Sequence, residues 1–175
     1  MQTLLKQLLH QWRFEDVQFL KGERIAAIHR LEEVLGYYFP SEFVDYLQTV
    51  NGMAEGESDN DLFYFWSSKL IESEVKEFKT AGPDSIFIGF ADRIVIESVY
   101  MIEVSKIRKV SGRVSIKKKD NQIIAPNFKV FLNNYLNNLD QNLPQWEKPI
   151  DRESKTSPLS LLFQRLLPNQ LASAI

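Results

Sequence analysis

The sequence predicts an α+β fold in which N-terminal helices and a closing helix pack on a largely antiparallel sheet. Helical periodicity dominates roughly the first 50 residues and returns after Pro126, whereas the middle holds short runs of β-branched and aromatic residues. Helices that come first, followed by strands and a helix, are typical of α+β proteins. Strands that are separated by tight turns pair antiparallel, which gives the predicted sheet its direction.

The helices are predicted from apolar stripes and from residues that end a helix. A stripe with helical spacing covers residues 25–35, and Gly36 stands where a left-handed helix end is favoured. After the next proline, Ser41 is predicted to cap a second helix. Asn51 and Gly52 are predicted to end that helix, because both tolerate positive φ. Further helices are predicted over residues 3–14 and 68–78 and from Pro126 to Leu139.

The strands are predicted from their β-branched and aromatic content and from the turns between them. Ser111-Gly112 suits the turn of a hairpin, and Gly82-Pro83 marks a turn earlier in the chain. The predicted strands cover residues 62–66, 85–90, 95–104, 106–110, 113–118 and 122–125.

The last 36 residues differ from the rest. Three prolines punctuate a polar stretch, and apolar residues then recur at helical spacing from Leu159 to Leu167. We therefore divide the chain into one domain, residues 1–139, and a C-terminal extension, residues 140–175. The short amphipathic helix of this extension is expected to pack on the domain.

Composition excludes several classes of site. The chain has 175 residues, 44% of them hydrophobic and none of them Cys, so disulfides, thiolate catalysis and Cys-ligated zinc are excluded. Lys6 interrupts the apolar N-terminal run, which does not fit a signal peptide, and no window is long and apolar enough for a membrane span. We expect a cytoplasmic protein without membrane contact.

The charge is uneven along the chain. The first 80 residues carry 14 acidic and 8 basic side chains, and such a field can steer a basic partner. An acidic loop lies in this half, but it lacks the glycine and the closing glutamate of a calcium loop. We interpret it as a solvated loop and as a candidate contact for a basic protein. Its acidic residues are Glu55, Glu57, Asp59 and Asp61.

A basic segment follows in the other half. Residues 106–119 carry seven Lys and Arg and no acidic residue. No aromatic residue is interleaved to stack on bases, so nucleic-acid binding is the least favoured interpretation. We prefer the protection of an exposed sheet edge by lysines, with partner binding second.

No motif for catalysis, a metal or a cofactor stands out. His10 and His29 lie on different predicted helices, and no phosphate-binding glycine loop or nucleophile motif is present. The aromatic residues of the predicted strands could line a binding pocket, although core packing is the default role for such residues. Those proposed for partner binding are Tyr64, Trp66 and Tyr100.

Several of these segments together resemble one family. The opening residues are Glu32, Leu35-Gly36, Phe39-Pro40, Phe43, Leu47 and Asn51-Gly52, and the later ones are Phe63 to Trp66 with Leu70, Phe87 to Ala91, Tyr100 to Ile102, Phe128, Phe131 and Leu132. In order and spacing they resemble the SUKH superfamily over residues 20–139. This family includes fungal cell-wall-assembly regulators and bacterial immunity proteins. Glu103, where the family often has Asp, and Phe39, where Leu is usual, depart from its pattern.

The resemblance implies a SUKH-like fold whose ligand surface is the groove beside the sheet. We therefore expect a non-catalytic protein-binding domain, foremost an immunity protein that binds and neutralises a basic toxin domain. The alternative is a regulatory scaffold like the fungal relatives. An Asp/Glu-based hydrolase comes third, and it would need two carboxylates that converge in a pocket.

Overall fold

The computed structural model describes residues 1–74, 79–93, 98–108, 112–117 and 122–137, all within one compact unit, Met1–Asn142. In these residues five helices and eight strands form an α+β fold, which confirms the predicted class. The helices are α1 (Gln2–Phe14), α2 (Ile25–Leu35), α3 (Ser41–Thr49), α4 (Ser68–Glu74) and α5 (Phe128–Leu136). The strands are β1 (Phe19–Lys21), β2 (Val50–Met53), β3 (Phe63–Phe65), β4 (Lys79–Gly82), β5 (Ser85–Arg93), β6 (Ser98–Ser105), β7 (Val114–Lys117) and β8 (Gln122–Ala125).

The main sheet has six strands, and every pair in it is antiparallel, as predicted. Its order is β3-β5-β6-β7-β8, and β4 lies on the same side of β5 as β3. β5 is long enough for both neighbours, because β3 pairs with residues 91–93 and β4 with residues 85–87. A separate two-stranded sheet joins β1 to β2.

An aromatic core packs on one face of the main sheet, which we call the first face. The Phe90 ring of β5 lies 5.8 Å from Phe43 of α3, and 5.4 Å and 5.2 Å from Phe128 and Phe131 of α5. These rings pack edge to face, an arrangement that adds about 1 kcal/mol per pair to the burial of their surface. The second face carries the alternate residues of the same strands.

Helix α3 begins differently from the prediction. Pro40 precedes the first helical residue, and its carbonyl oxygen accepts bonds from the N–H groups of Phe43 and Val44 at 2.9 and 3.0 Å. Ser41 lies inside the helix, so its predicted role as the cap is wrong. Pro40 fits this position because its φ of −58° is already the helical value.

Helix α3 ends earlier than predicted. It ends at Thr49, and the chain passes directly into β2, which contains Asn51 and Gly52. Gly52 has the expected positive φ, +76°, but it lies within the strand. The Asn51 side chain accepts a bond from the Ser68 N–H at 2.8 Å and donates one to the Ser68 hydroxyl at 3.1 Å. This tertiary contact favours a strand where the sequence predicts only the end of a helix.

The basic segment does not protect a sheet edge. β7 pairs with β6 on one side and β8 on the other, so it is an interior strand. Residues 106–108 are not a strand, because the chain leaves β6 after Ser105, which pairs with Tyr38. The predicted strand over residues 106–110 is therefore wrong in its first three residues. Lys109, Lys118 and Lys119 lie outside the described residues.

Besides β2, two strands were missed, since β1 lies where no element was predicted and β4 reaches the predicted turn at Gly82-Pro83. Both are short. β1 pairs with β2, which is distant in the chain, and β4 pairs with the longer β5. The predictions for residues 140–175 lie outside the described residues. Among the helices that are described, none combines the length and the apolar character that crossing a membrane requires.

Candidate partner-binding surface

The seven predicted partner-binding residues do not share one environment. Tyr100 is fully buried beneath Phe63 and Phe131, and Asp59 is 4% exposed. This burial corrects the expectation that Tyr100 and Asp59 contact a partner. Glu55 and Asp61 are exposed, Glu57 and Tyr64 are half-buried, and Trp66 is 8% exposed.

Tyr64 belongs to a row of residues that crosses the second face. The strand register places Tyr64 opposite Asp92, Asp92 opposite Val99, and Val99 opposite Lys117. All four side chains are half-buried, whereas Phe87 and Met101, which belong to the second face by alternation, are buried. The accessible part of this face is therefore the end that carries Tyr64 and Asp92.

Trp66 is held next to this row by two contacts. A Cβ atom at Gly89 would come within 2.4 Å of the Trp66 ring, so the ring lies directly on the backbone of β5. The indole N–H donates a hydrogen bond of 2.5 Å to the Asp92 carboxylate. The same bond fixes the orientation of the Asp92 carboxylate before any partner arrives.

The electrostatics of this end of the sheet are acidic. Burial raises the pKa of the Asp92 carboxyl, and the Trp66 N–H opposes that rise. Burial also raises the pKa of the Tyr64 hydroxyl, with further contributions from the charges of Asp92 and Glu55. The Tyr64 hydroxyl therefore stays protonated beside two carboxylates. We call these four residues, Glu55, Tyr64, Trp66 and Asp92, the acidic-aromatic patch.

Asp59 anchors the acidic loop. One carboxylate oxygen accepts bonds from the N–H groups of Phe63 and Asp61 at 2.8 and 2.9 Å. The other accepts a bond from the hydroxyl of Tyr135, which itself accepts one of 3.1 Å from the Trp12 indole. Asp59 thus connects the loop to α5 and α1, which explains its burial. Its role is to position the loop from which Glu55 projects.

A buried ion pair lies further along the second face. Arg113 donates two hydrogen bonds to the Glu103 carboxylate, at 2.7 and 2.8 Å, and the Ser85 hydroxyl donates a third at 2.9 Å. These bonds, led by the one from Arg113, lower the pKa of Glu103. Because both charges have a partner, the pair connects β6 to the residue that precedes β7.

Replacing Arg113 with methionine is expected to destabilise the fold by about 2 kcal/mol, because Glu103 would keep its charge without a partner. The value lies below that of a fully buried pair, since the Arg113 side chain is 43% exposed. Urea unfolding measures the change. Lys106→Met is the control, because its pair with Asp84 is 3.8 Å long and exposed on both sides. Equal losses in the two variants would contradict this role for Glu103.

The described residues add no metal-binding group to the patch. In the described part of the chain, no group of three or more His, Asp and Glu side chains could hold a metal ion. Both histidines are exposed, and they lie on different helices, α1 and α2. The arrangement offers hydrogen bonds, aromatic surface and negative charge.

Comparisons with known proteins leave the patch as the main source of functional inference. Neither known protein families nor curated proteins give a match to this chain.

Of the predicted residues, the structure brings Glu55, Tyr64 and Trp66 together. Sequence analysis missed Asp92, because the predicted strand stopped at Phe90 while β5 continues to Arg93. A β-bulge between Gly89 and Ala91 shifts the alternation, so the pattern of the sequence does not reveal that Asp92 points to the second face.

Proposed function

We propose that this chain is a non-catalytic protein-binding domain whose acidic-aromatic patch recognises a basic protein. The observation that carries the proposal is the bond between Trp66 and Asp92, which fixes a carboxylate beside the accessible Tyr64. A carboxylate that is already oriented loses little conformational entropy when it binds Lys or Arg.

The composition of the patch suits a protein partner. Tyrosine is enriched among the residues that dominate binding energy in protein interfaces, and Tyr64 is half-buried, whereas the buried Trp66 acts by orienting Asp92. Carboxylates such as Glu55, exposed near this aromatic surface, accelerate the encounter with a basic partner. The excess of acidic residues in the first 80 positions extends the same field.

The resemblance to the SUKH superfamily supports a narrower proposal. The partner would be a basic toxin domain, and this chain would be the immunity protein that neutralises it in the cytoplasm. The resemblance implies a ligand surface in the groove beside the sheet, and the patch lies at one end of the second face. The proposal of a binding module stands without the resemblance, whereas the toxin as partner depends on it.

The test is co-expression with the products of adjacent genes, followed by affinity measurement on any complex. Tyr64→Ala is expected to weaken the complex about 30-fold, the loss typical of a central interface tyrosine. Glu55→Gln is expected to slow association at low salt, because an exposed charge acts mainly on the association rate.

Two exposed residues outside the patch provide controls. Phe14→Ala removes an aromatic side chain that is 85% exposed on α1, and Glu74→Gln removes a charge at the end of α4. Both are expected to leave affinity within about twofold, as most residues outside an interface do. Equal losses in the control and patch variants, or a complex that survives every patch substitution, would contradict the proposed surface.

A further inference from the structure

A cleft of about 300 Å³ lies between the C-terminal end of α2 and the segment that follows β6. It shares no residue with the acidic-aromatic patch, and unlike the patch it contains basic side chains. The residues that bear on its chemistry are His29, Glu33, Tyr37, Tyr38, Lys106 and Arg108.

Two cations in this cleft stack on two tyrosine rings. The Arg108 guanidinium carbon lies 4.6 Å from the centre of the Tyr38 ring, and the Lys106 ammonium lies 5.9 Å from that of Tyr37. Tyr38 is itself fixed, because its backbone N–H donates to the Ser105 carbonyl at 2.7 Å and its carbonyl accepts from the Ser105 N–H at 3.2 Å. The backbone that carries the Tyr38 ring is therefore held against β6.

Arg108 keeps its hydrogen-bonding capacity. A stacked guanidinium places its N–H groups around the rim of the ring, where they can bind a carboxylate with two parallel bonds. Within the described ranges of the chain, no side chain or carbonyl accepts a hydrogen bond from Arg108. Lys106 differs, since it pairs with Asp84 at 3.8 Å.

The acids of the cleft do not neutralise Arg108. The Glu32 carboxylate is buried and accepts a 2.8 Å bond from the Phe39 N–H, so it is committed to the turn after α2. Glu33 is exposed, and no ion pair joins it to a cation among the residues that the structure describes.

The tyrosines of the cleft point to a peptide as the ligand. Tyr38, which is 37% exposed, and the half-buried Tyr37 line the cleft together with Arg108. Tyrosine and arginine are both enriched in protein interfaces. A nucleic-acid site would instead need a track of cations, whereas Lys106 is already paired with Asp84.

We propose that this Arg108 cleft binds an acidic segment of a protein, in which an aliphatic residue neighbours an Asp or Glu. The carboxylate bonds to the guanidinium of Arg108, and the aliphatic side chain packs on the tyrosines that line the cleft. The chain then has two binding surfaces, one for a basic partner at the patch and one for an acidic partner at the cleft. The proposal for the cleft does not depend on the function proposed for the patch.

Fluorescence anisotropy of dye-labelled peptides tests this proposal on the full chain. A peptide of Asp, Glu and Leu is expected to bind, and its Asn, Gln and Leu counterpart to bind at least about 10-fold more weakly, which is the loss of one charge-assisted bond. Arg108→Gln is expected to weaken binding of the acidic peptide by a similar factor. Tyr38→Leu, which removes the support, should weaken it in the same direction.

Arg13→Gln is the matched control, because Arg13 also stacks on an aromatic ring, at 5.6 Å from the Phe19 centre, but lies on α1. Its effect is expected to stay within about twofold, since only general attraction is lost. Equal losses at Arg13 and Arg108, equal binding of the neutral peptide, or no binding of the acidic peptide would overturn the proposal. So would tighter, Arg108-dependent binding of a single-stranded oligonucleotide, or displacement of the peptide by inorganic phosphate at matched concentration.

Discussion

Replacing Gly52 with alanine is expected to destabilise the fold by about 3 to 5 kcal/mol, the sum of backbone strain and a steric clash. Gly52 has a φ of +76°, which a residue with a Cβ atom adopts only at a cost. That Cβ atom would lie 2.5 Å from the Trp66 carbonyl oxygen and 2.7 Å from that of Phe65. Neither backbone oxygen can move without displacing β3.

Gly56→Ala separates the two effects. Gly56 has a similar φ of +83°, but no atom lies within 4 Å of the position its Cβ would take. Its replacement is expected to cost about 1 kcal/mol, from strain alone. Urea unfolding followed by tryptophan fluorescence measures both variants. A loss at Gly52 no larger than that at Gly56 would show that β2 and β3 are not packed as closely as described.

The close approach at Gly52 also reaches the patch. Displacing the backbone of Trp66 would move the indole that fixes the Asp92 carboxylate. Gly52→Ala protein that remains folded should therefore bind a patch partner more weakly than Gly56→Ala protein. The close packing of Gly52 on the Trp66 backbone therefore also affects the binding surface.

Stability is expected to fall as pH rises through the range in which Asp59 titrates. Burial raises the pKa of the Asp59 carboxyl from 3.8 to about 6, against the opposing bonds from Tyr135 and Phe63. At or below about pH 4 the folded carboxyl is protonated, and the contribution of Asp59 to stability is greatest. Between this pH and about 6 the unfolded chain loses its proton first, so stability falls by about 3 kcal/mol in all.

Asp59→Asn isolates this contribution, because the amide keeps the shape and has no charge. Relative to the natural chain, the variant is expected to gain about 3 kcal/mol between pH 4 and pH 7. Urea unfolding at a series of pH values measures the difference. A difference that stays constant over this range would contradict a raised pKa at Asp59. Tyr135→Phe removes a donor that lowers this pKa, so it should move the midpoint of the fall to higher pH.

Some elements of this fold follow from residues close together in the chain. The α2 helix ends at Gly36 with a φ of +70°, as its sequence predicts, because a left-handed end depends on the residue itself. α5 buries Phe128, Phe131, Leu132 and Tyr135 on one side, and their spacing alone predicts that side.

Other elements depend on partners that are distant in the chain. Asn51 lies in a strand because Ser68, 17 residues away, satisfies its side chain. Asp59 has the sequence context of a solvated loop residue, yet it is buried because Tyr135 reaches it across the fold. No local pattern encodes either contact, so composition and spacing predicted neither the strand at Asn51 nor the burial of Asp59.

The candidate surface shows the same division. The sequence marked Tyr64 and Trp66 as aromatic residues on a strand, but not whether they pack in the core or face a partner. Tyr100 has the same chemistry and lies in the core, while Tyr64 lies on the second face. The difference arises from strand register, which is fixed by pairing and by the bulge in β5.

By itself, then, the sequence determined the class of fold, the end of α2 at Gly36 and the absence of cysteine chemistry. Each of these depends on the covalent character of single residues or on periodicity within one element. The tertiary structure alone decided that Asp92 joins the patch, that Asp59 is an anchor and that Arg108 stacks beside a cleft. These facts depend on which strands pair and how closely backbones approach, and those interactions join residues far apart in the chain.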